Sequence, residues 1–273
     1  MPKTTPKNMP NLPRKSPRAA SRAPARKAAS TRGSAAARSS LEIVKEDLVA
    51  ANRILAHHGV LDAFGHVSAR DPGNPGRFLI SRSRAPELVT VGDLMTLDLD
   101  SNPIEGDVRQ PYLERFIHGE IYRARPDVMA IVHSHAPAVI PFAASSVTLR
   151  PIYHMASFLG GGAPVFDIRS RFGPTDLLVR NHDHGRALAE VLGGSDVALM
   201  RGHGYVAVAP SVPLAVYRAI YTQINASLQQ QAIALGGAVT YLVPEEAALC
   251  VPVQSLTIMR PWELWKRKIG PVK

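Results

Sequence analysis

The first strongly periodic segment of the chain predicts an amphipathic α-helix. Its apolar side chains fall on one helical stripe, formed by Leu41, Val44, Leu48, Ala51 and Leu55. Ser39 and Glu42 have the spacing of a capping box, in which side chains satisfy the free backbone amides at the start of a helix. We therefore expect this helix to begin at Ser39 and to end just before Gly59.

Beyond this helix, short apolar runs of strand length alternate with longer amphipathic segments. The runs that predict strands are Phe78–Ser81, Leu94–Leu99, Val128–His133, Val165–Ile168, Val197–Met200 and Tyr205–Val208. The segments that predict helices are Leu113–Arg125, His184–Leu192 and a long one from about Val212 to Leu235. Because strands and helices are mixed without a strict βαβ rhythm, the sequence predicts a layered α/β domain with a mixed sheet.

Positive charge is concentrated in the first forty residues. The chain of 273 residues has 32 Lys and Arg against 22 Asp and Glu, a formal net charge of +10. Ten of the basic residues and none of the acidic ones lie in residues 1–40, so residues 41–273 are formally neutral. Residues 1–40 also contain six prolines and almost no large apolar side chains. They predict a disordered basic tail, with a targeting or nucleic-acid-binding arm as the alternative, and residues 41–273 predict the folded domain.

The composition excludes several classes of protein. With 45% apolar residues, the chain is neither largely disordered nor collagen-like. No apolar run approaches the roughly 20 residues of a membrane span, so we expect no membrane partner. Cys250 is the single cysteine and cannot form an internal disulfide, which is typical of a reducing compartment. We therefore expect a cytoplasmic protein.

Two histidines at the end of an apolar strand predict a metal site. His133 and His135 are two residues apart, and because side chains alternate along a strand, both face the same way. Imidazoles buried there cost free energy unless they bind something, and a divalent cation would satisfy them. Glu114 and His203, the latter between two glycines, would complete a nitrogen and oxygen set suited to zinc or another first-row metal. Packing or hydrogen bonding is the alternative role for these histidines.

The order and spacing of these residues resembles the class II aldolase/adducin family. The matching motifs are Gly65-His-Val-Ser-Ala-Arg70, Glu114, His133-Ser-His135 and Gly202-His-Gly204. The resemblance covers about residues 41–240 and implies a three-layer α/β/α sandwich with a central mixed β-sheet. It also implies a homo-oligomer, usually a tetramer, with active sites between subunits.

The same resemblance implies one divalent cation per subunit, held by His133, His135, His203 and Glu114. Zinc is the preferred metal, with manganese, magnesium or iron as alternatives. Glu114 would either bind the metal or move away from it to act as a catalytic acid or base.

The chain departs from the sugar-phosphate aldolases of the family where those enzymes hold phosphate. Those enzymes tend to have Gly-Asn, a Thr-x-Thr-Gly-like turn and a Ser pair where this chain has Gly65-His66, Ser81-Arg-Ser-Arg84 and Tyr112-Leu113. Fewer hydroxyls and more guanidinium groups favour a planar carboxylate over a tetrahedral phosphate. We expect Arg82, with Ser81 and with His66 or Arg84, to bind a substrate carboxylate. Solvent-exposed arginines on a turn are the alternative.

A second departure concerns the proton donor. The segment Pro151-Ile-Tyr-His-Met155 has His154 where several aldolases of the family have a catalytic tyrosine, with Tyr153 shifted by one place. Either side chain is a candidate acid or base, and core packing is the alternative for Tyr153. These residues, the Arg82 loop and Arg260-Pro-Trp-Glu-Leu-Trp265 resemble a decarboxylase-like subgroup of bacterial aromatic catabolism.

The resemblance to this subgroup implies a metal-dependent carbon–carbon lyase. It would decarboxylate a ring-cleavage product of the hydroxymuconate semialdehyde type or a dihydroxylated aromatic acid, through a metal-stabilised enolate. One alternative is a class II aldolase that cleaves a non-phosphorylated hydroxy-oxo acid, and the second is a non-catalytic, adducin-like binding protein. We expect a small carboxylate as the partner, and nucleic acid only through the basic tail.

Overall fold

The computed structural model describes residues 28–104 and 106–271, and for residues 28–39 only the helical backbone. The strands are β1 (His66–Arg70), β2 (Arg77–Ser81), β3 (Leu94–Asp98), β4 (Ala130–Ser134), β5 (Val165–Phe166), β6 (Val197–Met200) and β7 (Gly204–Ala209). The α-helices are α1 (Ala28–His57), α2 (Arg115–Ala124), α3 (Ile140–Ala143), α4 (Arg169–Phe172), α5 (His182–Leu192), α6 (Val212–Ala234), α7 (Pro244–Thr257) and α8 (Met259–Ile269). Short 3₁₀ helices cover Pro86–Leu88, Val91–Asp93 and His154–Leu159. None of the helices in this described part combines the length and the apolar character needed to span a bilayer.

The seven strands form one sheet in the order β3-β2-β1-β4-β7-β6-β5. Neighbouring strands are antiparallel except β5 and β6, which are parallel, so the predicted mixed sheet is confirmed. Helices α1, α6 and α8 bury their apolar side chains on one face of the sheet, and α2 and α5 bury theirs on the other. The chain is therefore a three-layer α/β/α sandwich, as expected.

Strand β1 places polar side chains against α2. All five of its side chains are buried, and they alternate between the two faces of the sheet. Val67 and Ala69 join the core beneath α1 and α6. The side chains of His66, Ser68 and Arg70 point to the opposite face. The α2 side of the sheet therefore contains three buried polar side chains beside its apolar core.

The strands and helices predicted after the first helix are present, with ends that differ by two residues at most. The strand His66–Arg70 and the helix Pro244–Thr257 were not predicted. The strand has only two apolar residues, Val67 and Ala69, so it lacks the apolar run by which the other strands were recognised. Helix α7 combines apolar residues on several sides with an internal Pro252, so it lacks a clear apolar stripe.

The predicted start of the first helix at Ser39 is wrong. Helix α1 begins at Ala28 and continues through Ser39. The last proline of the tail is Pro24, and the alanine-rich residues that follow it favour helix, because alanine has the highest helix propensity. Residues 1–27 of the predicted tail lie outside the described residues. The division at residue 40, the role of the tail and the cytoplasmic location stay predictions.

Candidate metal centre

Four side chains from separate parts of the chain converge at the end of β4. Glu114, His133, His135 and His203 each offer one ligand atom, and these atoms all lie within 4.8 Å of one another. The Nε2 of His135 is 3.0 Å from the Nε2 of His133 and 3.0 Å from the Nε2 of His203. The Oε2 of Glu114 is 3.5 Å from the Nε2 of His133 and 3.3 Å from the Nε2 of His203. The structure thus brings the four predicted metal ligands together.

Two glycines bring His203 to this cluster. His203 lies in the tight turn between β6 and β7, where Gly202 has a φ of 65°, in the region that favours glycine. At Gly204, a Cβ atom would lie 2.0 Å from the carbonyl oxygen of Ser134. Strand β7 can therefore approach the end of β4 only with glycine at this position, which is the close approach that Gly-His-Gly predicts.

Backbone carbonyl groups orient two of the imidazoles. The Nδ1 of His133 lies 3.1 Å from the carbonyl oxygen of Tyr205, and the Nδ1 of His203 lies 2.9 Å from that of Leu177. A carbonyl oxygen only accepts, so each Nδ1 carries the ring hydrogen and each Nε2 presents its lone pair to the cluster. This is the tautomer in which an imidazole binds a metal through Nε2.

The loop before α5 supports the cluster through its backbone. The carbonyl group of Leu177 accepts from His203, and the amide of Val179 donates to the Oε1 of Glu114 at 2.9 Å. Leu177 and Ser101 are the two non-glycine residues of the described chain with positive φ, and strain of this kind is often held at functional sites. Sequence reasoning missed this loop because backbone groups carry no side-chain signature.

The protonation of the cluster suits a cation. Burial alone would raise the pKa of Glu114, but its contacts with the imidazoles of His133 and His203 outweigh burial and hold the pKa well below its usual range. Burial and the neighbouring imidazoles lower the pKa of His135 to about 4. Burial alone would lower the pKa of His203, but the carboxylate of Glu114 outweighs burial and raises it. A charged carboxylate and neutral imidazoles are the forms that bind a divalent metal, so metal binding would release any proton on His203. The donor set of three nitrogens and one carboxylate oxygen therefore fits the implied group.

A cavity of about 390 Å³ opens beside the cluster. Its lining is mainly apolar and consists of Ala63, Phe64, Gly65, His66, Ser83, Arg84, Ala85, Tyr112, Leu113, Glu114, His135 and Leu178. The ring of Phe64 stands at the mouth, 67% exposed. The rings of His66 and Tyr112 lie 4.6 Å apart, centroid to centroid. The cavity therefore joins the candidate metal ligands to aromatic side chains and to one arginine.

Some of the residues predicted to bind a carboxylate line the cavity, and others lie behind its lining. His66 and Arg84 line the cavity, whereas Ser81 is buried behind it. The Nε of Arg82 donates to the Oδ1 of Asp93 at 2.7 Å, and Nη1 of Arg84 contacts the same oxygen at 3.1 Å. The carboxylate that Arg82 binds within the chain is thus Asp93. A substrate-binding role for Arg82 and Ser81 stays a prediction.

Tyr153 and His154 lie elsewhere in the chain. His154 lines a second cavity, of about 610 Å³, bordered by α6, α7 and α8. The hydroxyl of Tyr153 is buried and has no hydrogen-bond partner among the described residues. Burial and the neighbouring Tyr221 raise the pKa of Tyr153. Neither residue lines the cavity at the metal cluster, so their catalytic role stays a prediction that needs a second subunit.

A buried polar row extends from the cavity to α2. The Nδ1 of His66 is 2.6 Å from the Nε2 of His118, and the Nδ1 of His118 is 2.6 Å from the Oγ of Ser68. The Oγ of Ser68 is in turn 2.8 Å from the hydroxyl of Tyr122. Burial, and after it His133, lowers the pKa of His118 to about 3. Sequence reasoning missed Ser68 and Tyr122, although the alternation of His66-Val-Ser-Ala-Arg70 is a strand signal.

Comparison with known proteins identifies relatives of this arrangement. The sequence profile of the family described as Class II Aldolase and Adducin N-terminal domain matches residues 46–230. Decarboxylase tropJ of Talaromyces stipitatus is 40% identical over 239 residues, which cover 79% of this chain and 90% of that protein. A 3,4-dihydroxyphthalate decarboxylase of Arthrobacter keyseri is 34% identical over 219 residues, 75% and 84% of the two chains. The structure of an L-fuculose 1-phosphate aldolase from Glaciozyma antarctica PI12 has a TM-score of 0.66 and 26% identity, with 78% of this chain and 82% of that one covered.

Proposed function

Because this chain belongs to the class II aldolase and adducin family, we propose that it is a metal-dependent decarboxylase of a dihydroxylated aromatic acid. The observation that carries the proposal is the complete cluster of one carboxylate and three imidazoles beside an aromatic-lined cavity. Two similar proteins named decarboxylases support it, and 3,4-dihydroxyphthalate, named for one of them, belongs to this substrate class. A carboxylated ring-cleavage product stays the alternative substrate.

His133, His135, His203 and Glu114 would hold the metal. Three imidazole nitrogens and one carboxylate oxygen favour zinc, whereas magnesium and manganese prefer sites richer in oxygen. When bound, the cation would act as a Lewis acid that stabilises the negative charge left on the substrate as CO₂ departs. Iron, manganese and magnesium remain alternatives to zinc.

The shape and chemistry of the cavity support a planar, carboxylated substrate. The side chains of Phe64, Tyr112 and Leu178 offer apolar surface to an aromatic ring. The guanidinium of Arg84 suits a carboxylate, since its planar donors match two oxygen atoms. Its contact with Asp93 holds Arg84 in place without removing all of its donors.

The side chains of this chain would orient the substrate and supply a proton. His66 and Arg84 would bind its polar groups, so that the carboxylate to be lost is directed towards the cluster. Carbon must receive a proton after CO₂ leaves, and Glu114 and His154 are the predicted donors. Because the carboxylate of Glu114 is ionised in the cluster, it would first take this proton from solvent. Of these two candidate proton donors, only Glu114 lines the cavity of its own chain.

We further propose that the enzyme is a homo-oligomer, with a tetramer as the expected form. In its own chain, His154 lines a cavity separate from the one at the metal cluster. It could therefore act only at the metal cluster of another subunit. Helices α7 and α8 border that second cavity and expose large apolar side chains, which are Leu249, Val253, Leu256, Met259 and Leu264. Burial of this surface against another copy would be favourable.

Elemental analysis followed by a product assay tests the proposal. Purified protein should contain about one divalent cation per chain, and with 3,4-dihydroxyphthalate it should release CO₂ and form a dihydroxybenzoate. The aldolase alternative would instead cleave a hydroxy-oxo acid into two carbonyl fragments without CO₂. Protein that binds no stoichiometric metal would contradict both enzymatic functions and favour the adducin-like alternative.

A further inference from the structure

The buried row behind the cavity ends at a tyrosine with one hydrogen-bond partner. Among the described residues, the hydroxyl of Tyr122 contacts only the Oγ of Ser68. The guanidinium of Arg70 lies 4.7 Å from the centre of the Tyr122 ring and donates to the Tyr122 carbonyl oxygen, which holds the phenol in place. A buried hydroxyl hydrogen without an acceptor is costly, so Tyr122 donates to Ser68.

In the wild-type row, donation by Tyr122 leaves one position for each of the other hydrogens. Ser68 accepts from Tyr122, so its own hydrogen goes to its other partner, the Nδ1 of His118. That nitrogen then carries no hydrogen, and the Nε2–H of His118 donates to the Nδ1 of His66. The ring hydrogen of His66 therefore lies on Nε2.

The other arrangements leave a buried hydrogen without an acceptor. If His66 donated to His118, the Nδ1–H of His118 would donate to Ser68. Ser68 would then have to donate to Tyr122, whose hydrogen would have no acceptor among the described residues. If Ser68 accepted from both neighbours, its own hydrogen would be left unpaired. Only one direction satisfies all four groups.

We propose that this row fixes His66 as a hydrogen-bond donor whose Nε2–H binds an anionic oxygen of the substrate. His66 lines the cavity, and its Nε2 has no hydrogen-bond partner among the described residues. The inference rests on the proposed function and adds to it the group that His66 recognises, a carboxylate or phenolate oxygen. Ser68 and His118 become positioning residues, and His66 binds the substrate rather than accepting a proton from it.

Nitrogen-15 NMR of histidine-labelled, zinc-loaded protein tests the direction of the row without any turnover. Ring nitrogens with and without hydrogen have well-separated shifts, and loss of a signal in His66→Asn assigns it. The wild-type protein should show hydrogen on Nε2 of His66 and none on Nδ1. Hydrogen on the Nδ1 of His66 would overturn the proposal.

Variants of the row test the positioning role. Ser68→Ala removes the group that links Tyr122 to His118, and a mixture of His66 tautomers is expected. Tyr122→Phe keeps the Ser68 to His118 bond, so it should retain the wild-type tautomer. Thr222→Val is the matched control, because the buried hydroxyl that it removes is bonded, among the described residues, only to the carbonyl oxygen of Arg218 in its own helix.

Binding of 3,4-dihydroxybenzoate tests whether the tautomer of His66 affects the affinity for an aromatic acid. Calorimetry on the zinc-loaded protein should give a dissociation constant roughly 2- to 10-fold higher for Ser68→Ala, since one oriented hydrogen bond is weakened. The Thr222→Val value should equal that of the wild type. An unchanged constant in Ser68→Ala, despite mixed tautomers, would overturn the donor role. Failure to release CO₂ from any aromatic acid would remove the proposed function and leave the NMR result standing.

Discussion

Gly204 packs so closely against Ser134 that a Cβ atom at position 204 would lie 2.0 Å from the Ser134 carbonyl oxygen. Ser134 ends β4 and Gly204 begins β7, and the two strands are hydrogen-bonded from that point. The imidazole of His203 precedes this contact by one residue, and His133 and His135 flank Ser134. The approach of two backbones therefore sets the distances within the metal cluster.

The Gly204→Ala variant should lose metal and stability together. The added methyl group must push β7 away from β4, and overpacking of this kind costs about 1–3 kcal/mol. Metal content measured by elemental analysis and the thermal unfolding midpoint should both fall. Gly194→Ala is the matched control, because a Cβ atom at position 194 meets no atom of the described part of the chain within 4 Å. Full metal content in Gly204→Ala would contradict this prediction.

The cluster histidines should differ in metal binding from His182, which forms a second His-x-His pair with His184. In His135→Ala, one ligand of the proposed site is lost, and we expect substoichiometric zinc and loss of turnover. His182→Ala should retain zinc, because His182 contacts the carboxylate of Glu120 rather than the cluster. Chelation of the wild-type protein should abolish turnover, and added zinc should restore it. Zinc retained at wild-type affinity by His135→Ala would remove this histidine from the site.

Replacement of either arginine in the Ser81–Arg84 turn should raise KM, but by different amounts. Arg84 lines the cavity, so Arg84→Ala is expected to raise KM for a carboxylated substrate about 10- to 100-fold, as loss of a charge-assisted hydrogen bond of about 1.5–3 kcal/mol would do. Arg82→Ala, whose guanidinium contacts Asp93, should raise KM less. Steady-state kinetics of both variants decides. A larger KM effect at Arg82 would show that Arg82 leaves Asp93 to bind substrate.

Asp93 should make the fold sensitive to acid. Burial alone would raise the pKa of Asp93, but hydrogen bonds from Thr90 and Arg82 outweigh it and lower the pKa to about 2. The unfolded value is about 3.9, so the fold favours the ionised carboxylate. Its stabilisation, about 2 kcal/mol, is complete above pH ~4 and is lost as the pH falls through about 2.

Urea unfolding across this pH range tests the Asp93 prediction. Asp93→Asn should lower the free energy of unfolding near neutral pH and should flatten its fall between pH ~4 and ~2. The control Asp100→Asn removes an exposed carboxylate paired with Arg123, and a surface pair of this kind contributes about 0–1 kcal/mol. An Asp93→Asn profile parallel to that of the wild type would contradict the assignment.

Removal of residues 1–40 should leave the fold and the turnover unchanged. The first fully buried side chain described in α1 is that of Leu48, so the truncation removes no described core residue. The truncated protein should match the full chain in unfolding midpoint and kcat. A large loss of either would make the basic tail part of the enzyme.

The sequence by itself determined most elements of the fold and the identity of the candidate ligands. Helices α2, α5 and α6 and six strands follow from the period of their apolar residues, because that period reflects local backbone geometry. His133 and His135 are predicted to share a face for the same reason. Glu114 and His203 join them through a motif order that resembles a known family, and the structure places all four within 4.8 Å.

Only the tertiary structure decided which groups meet across the chain. Asp93 lies eleven residues beyond Arg82 and occupies its guanidinium, and the backbone of Leu177 orients His203 from a distant loop. The direction of the row behind His66 follows from buried contacts of Ser68 with Tyr122 and His118, which join β1 to α2. Such relationships have no sequence period, because they depend on backbone groups and on side chains that folding brings together from separate elements.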